Sequence, residues 1–81
     1  MRVRCQFFAR YAELLGAQGA PLELLEGATV ADAVRAIRTD VPGGSALPER
    51  PLVAVNRAHA LYDRRLADGD EVALLPPLAG G

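Results

Sequence analysis

The stretch Gly69-Asp70-Glu71-Val72-Ala73-Leu74-Leu75-Pro76-Pro77-Leu78-Ala79-Gly80-Gly81 decides how this chain is read. Asp68-Gly69-Asp70 is a turn signal, and Glu71 to Leu75 is an apolar run of strand length. Val72 and Leu74 fall on one face of that strand, Ala73 and Leu75 on the other, so both faces need cover. Pro76 and Pro77 carry no N–H and fix their own φ, which ends pairing at Leu75 and sends residues 76–81 out of the sheet in extended form. Six extended residues reach on the order of 20 Å, enough for a tethered terminus to enter another protein's site while the domain stays outside. Gly80 and Gly81 have no Cβ and can thread a channel too narrow for side chains, with the Gly81 carboxylate leading.

Upstream, the clearest element is an amphipathic helix. Val30, Val34, Ile37 and Val41 recur at helical spacing behind Thr29, an N-cap with Asp32 three residues on, and Pro42 ends the run. Leu52-Val53-Ala54-Val55 reads as a short central strand closed by a turn at Asn56, and Ala58 to Tyr62 as an edge strand on which His59 is solvated. Between helix and strand, Gly43 to Pro51 has no apolar periodicity and is expected to be a mobile loop. At the N-terminus, Met1, Val3, Cys5 and Phe7 alternate with Arg2, Arg4 and Gln6, a half-buried strand that aims Cys5 into the core as an inert hydrophobe. Ala9 to Leu15 is a short helix with Tyr11, Leu14 and Leu15 inward and Gly16 as its stop, and Pro21 to Glu26 is a second strand. The order is strand, short helix, strand, long helix and three strands. That is an α+β chain in the β-grasp arrangement: a mixed sheet of four to five strands on one main helix, spanning residues 1–75, with residues 76–81 as a flexible tail. Helices are available for one face of the sheet only, so part of the other face is expected to meet a partner or a curled loop.

Composition narrows the function. The chain has 81 residues, enough for a single core. Its formal charge of −1 leaves no basic footprint for nucleic acid. No apolar run approaches the roughly 20 residues of a membrane span, and the N-terminus alternates where a signal peptide would be continuously apolar, so the cytoplasm is the expected compartment. One cysteine and one histidine support neither an internal disulfide nor a metal site. All nine cationic side chains are arginine.

Phe7-Phe8-Ala9, Glu13-Leu14-Leu15-Gly16, Thr29-Val30, Ala54-Val55-Asn56 and Gly69-Asp70-Glu71-Val72-Ala73, followed by Pro76-Pro77 and Gly80-Gly81, resemble the small subunit of molybdopterin synthase, a ubiquitin-like sulfur carrier family. Ala12 departs from the arginine common there, and Ala79 from the usual serine or threonine. The resemblance implies a chain that is not an enzyme on its own. An E1-like enzyme would use ATP to adenylate Gly81, a sulfur donor would convert it to a thiocarboxylate, and the large synthase subunit would receive the tail. Leu75, Pro76, Pro77, Leu78 and Ala79 would bind the partner while Gly80 threads, and the sulfur would pass to cyclic pyranopterin monophosphate to form the dithiolene. The implied chain holds no permanent cofactor and binds neither nucleic acid nor membrane. Carriers for thiamine synthesis or tRNA thiolation share the same tail chemistry, as does a protein modifier. A plain binding module with a Gly-Gly end is the reading from another class.

Overall fold

In the computed structural model, residues 1–77 are described. The elements are β1 (Arg2–Phe7), α1 (Arg10–Leu15), β2 (Gly19–Glu23), α2 (Val30–Asp40), a 3-10 turn (Gly44–Ala46), β3 (Leu52–Val55), β4 (Ala58–His59) and β5 (Glu71–Leu75). They form one five-stranded mixed sheet in the order β2-β1-β5-β3-β4. β5 runs parallel to β1, with Arg4 opposite Glu71 and Phe7 opposite Leu74, and antiparallel to β3, with Leu52 opposite Leu75 and Val55 opposite Val72.

The inner face of the sheet carries Val3, Cys5 and Phe7 of β1, Val53 and Val55 of β3, and Val72 and Leu74 of β5, all buried. Against it lies α2, whose Val30, Ala33, Val34 and Ile37 are buried in the same core. Fully burying each larger side chain is worth about 1.5–3 kcal/mol, so this face supplies most of the folding drive. The start of α2 follows from its capping box: the Thr29 hydroxyl accepts from the Asp32 N–H, and the Asp32 carboxylate accepts from the Thr29 N–H at 2.9 Å. α1 ends at Gly16 in the left-handed region, where its N–H caps the last turn.

Five readings of the sequence need correction. β2 begins at Gly19 and ends at Glu23, two to three residues earlier than the Pro21 to Glu26 expectation. Ladder bonds from Phe7 N–H to Gln18 C=O and from Leu24 N–H to Met1 C=O put the Pro21 nitrogen on the free edge, so this proline does not interrupt pairing, while Leu25 turns out to solvent. The central strand is β5, and β3 lies beside it. β4 is only Ala58–His59, because Ala60 turns into the core and Tyr62 is drawn down to donate to the Pro51 carbonyl. The segment after Pro42 is packed: it holds the 3-10 turn, and Gly44 and Leu47 are buried. Leu14 is exposed, leaving Tyr11 and Leu15 to anchor α1.

Candidate docking face and tail exit

β5 is hydrogen-bonded on both sides, which fixes the point where the C-terminal segment leaves the sheet. The loop before it is tied down at several points. Arg4 N–H donates to Asp70 C=O at 2.9 Å and Gly69 N–H to Arg2 C=O at 2.8 Å, while Arg2 N–H donates to the Asp68 carboxylate at 2.7 Å. The Asp70 carboxylate accepts from Ala67 N–H at 2.8 Å and from Asn56 Nδ2 at 3.0 Å, and Asn56 Oδ1 accepts from Glu71 N–H at 3.0 Å. These bonds hold the Asp70 carboxyl below the usual carboxylate range, the Ala67 N–H contributing most and the Asn56 amide next. Together they lock the turn at Asn56 to the start of β5 and set its register.

On the outer face the pairing register aligns Gln6, Ala73, Ala54 and His59 in one row, and Leu75 with Leu52 in the next. Phe8, one residue beyond core-facing Phe7, joins that second row. Small side chains form the floor and bulky ones the rim: Phe8 is 44% exposed, Leu52 48% and Leu75 36%. Beside Phe8 and Leu75 is a hollow of about 390 Å³, lined also by Ala54 and Ala73, that reaches Glu71 and Arg57 at the other end of the face. A larger open hollow of about 830 Å³ adjoins it across Gln6 and Phe8, floored by Gly19, Ala20 and Pro21 of β2. The expected two-sided character of β5 is therefore real, with Val72 and Leu74 under α2 and Leu75 at an apolar rim on the opposite side.

Of the anticipated contact residues, Leu75 is on the rim, Pro76 is half-buried and Pro77 exposed. Leu78, Ala79, Gly80 and Gly81, including the anticipated reactive end, lie outside the described residues. Phe8, Leu52 and Arg57 were not read from the sequence as residues of this face; for Phe8 and Leu52 the signal was strand alternation, which turns each away from a core-facing neighbour. Cys5 is buried in the core, and burial pushes its thiol up to about 12, so it is a protonated hydrophobe. His59 is exposed on the edge strand. Among the described residues, no group of three His, Cys, Asp or Glu side chains is placed to hold a metal ion, and no helix is long and apolar enough to cross a membrane.

The ThiS family model matches residues 5–81. The chain belongs to the ThiS family. Among relatives of this ThiS-family chain, a molybdopterin synthase sulfur carrier subunit from Chlamydomonas reinhardtii is 31% identical, with 100% of both chains covered. The Escherichia coli K12 protein of the same name is 35% identical, over 98% of this chain and 99% of its own. In structure, SAMP1 (small archaeal modifier protein 1) from Haloferax volcanii superposes with a TM-score of 0.87 at 29% identity, covering 100% of both chains. The five-stranded sheet and single main helix are thus the β-grasp fold expected from the sequence.

Proposed function

We propose that this ThiS-family chain is the sulfur carrier subunit of a molybdopterin synthase, acting through the carboxylate of Gly81. Near-complete coverage of two sulfur carrier subunits of that synthase carries the reading. The geometry supports it: a central strand, fixed on both sides, ends at a proline stop beside an apolar face.

The chemistry follows from the terminal group. A C-terminal carboxyl, with a pKa of about 3.5, is ionised at neutral pH and is a poor acyl donor. An E1-like partner would spend ATP to form the Gly81 acyl adenylate, and a sulfur donor would displace AMP to leave a thiocarboxylate. The domain would then dock on the large synthase subunit by its outer face, through Phe8, Leu52 and Leu75. Pro76 and Pro77 would direct Leu78, Ala79 and Gly80 into the partner's channel, and the Gly81 sulfur would be delivered to cyclic pyranopterin monophosphate. Acids, bases and phosphate-binding cations belong to the partner in this scheme; the chain itself holds no permanent cofactor, and its work is in the cytoplasm. Reconstitution with the activating enzyme, ATP, a sulfur donor and the large subunit tests it: the full chain yields molybdopterin, and the chain lacking Gly81 yields none. Product formation without Gly81 would overturn the proposal.

The likeness to SAMP1 favours a second use of the same adenylate, attachment of Gly81 to amines of other proteins. Gly81-linked peptides on foreign lysines after activation would support it.

A further inference from the structure

We propose that Arg57, with Arg4 beside it, makes a cationic end to the outer face that pairs with a carboxylate on the large synthase subunit and so fixes the direction in which the domain docks. The inference rests on the docking reading above and adds to it the charge its partner must present.

Three observations converge on Arg57. The hairpin between β3 and β4 turns through Asn56 at φ 50° and Arg57 at φ 70°. A two-residue turn with both φ positive is relaxed with asparagine followed by glycine, so the backbone gains nothing from a long side chain at the second position. Arg57 also lines the hollow that Phe8, Ala54, Ala73 and Leu75 form on the outer face. Third, among the described residues Arg57 makes no ion pair or side-chain hydrogen bond; the neighbouring carboxylate, Glu71, faces Arg4 at 3.7 Å. The face is thus polarised along β5. Its apolar rim of Phe8, Leu52 and Leu75 stands where β5 ends, and at the strand's start Arg57 and Arg4 lie on the outer face with half-buried Glu71, while the Asp70 carboxylate is taken up by the Ala67 N–H and the Asn56 amide. An apolar patch alone supplies affinity without direction, whereas a charge at one end makes the reversed pose costly. Threading the tail requires one pose only, which a carboxylate opposite Arg57 would select.

The test is association of the full chain with the large subunit, measured as affinity and association rate at low and high salt, for the parent, Arg57→Gly, Arg57→Glu and Leu75→Glu. Arg57→Gly removes the guanidinium and relaxes the turn, so it should leave the thermal midpoint unchanged or higher while weakening affinity about tenfold and flattening the salt dependence of the association rate. Arg57→Glu should weaken it further. Parent-like affinity and salt dependence in Arg57→Gly, with Leu75→Glu crippled, would overturn this inference alone. Parent-like affinity in Leu75→Glu would overturn the docking reading and this inference with it.

Discussion

Asp70 shows how single residues hold the exit strand in place. Its carboxylate is stabilised in the charged form by the Ala67 N–H and the Asn56 amide, as Asp32 is principally by the Thr29 N–H at the start of α2. Both folded-state pKa values lie below the ordinary one, so the stabilisation is complete above about pH 4 and is lost as pH falls through the depressed values. Thermal midpoints measured from neutral to strongly acid solution should fall in that range, and Asp70→Asn should lower the neutral value while making the acid decline shallower. Gly44 acts by sterics instead. A Cβ there would lie 2.1 Å from the Ile37 carbonyl oxygen and 3.0 Å from the Arg38 Cα, both backbone atoms of α2 that cannot yield cheaply. Gly44→Ala should cost roughly 3 kcal/mol in chemical denaturation, by forcing the 3-10 turn off the helix. The Asp32 cap was legible in the sequence because its partners are three residues apart. The Gly44 contact was not, because it depends on a tertiary approach of two segments that no local pattern encodes.

At the scale of elements, those with one strong local signal were read correctly: α2 from its stripe and capping box, β1 from alternation, β5 from its run between a turn and two prolines. The misplaced elements are those whose limits are set by a neighbour. β2 starts at Gly19 because β1 pairs with it immediately after the Gly16 stop, and β3 is not central because β5 inserts between it and β1. Alternation also carried part of the candidate site, since Ala73 and Leu75 were seen to oppose Val72 and Leu74. The join with Phe8 and Leu52 required the register. Leu75→Glu tests the face at this scale. Leu75 is 36% exposed, so the fold should survive, but a charge placed against an apolar partner without a counterion should weaken association with the large subunit by about an order of magnitude or more in calorimetry.

For the whole molecule, one sheet face is folded against α2, and the other carries the surface proposed to meet the partner. The core provides the platform, β5 brings the chain across its middle, and the Pro-Pro step ends strand pairing at Leu75. A terminal change should separate stability from function, because the core of the described residues is drawn from Val3 to Leu74. Deleting Gly81 should leave the thermal midpoint unchanged. Sulfur carriage at Gly81 is read out by the intact mass of the chain purified from its own host during molybdopterin synthesis. A sulfur carrier shows a population heavier by about 16 Da, one oxygen replaced by sulfur, with fragmentation placing the change on Gly81; a chain that stays unmodified there, with the synthase active, is not the carrier.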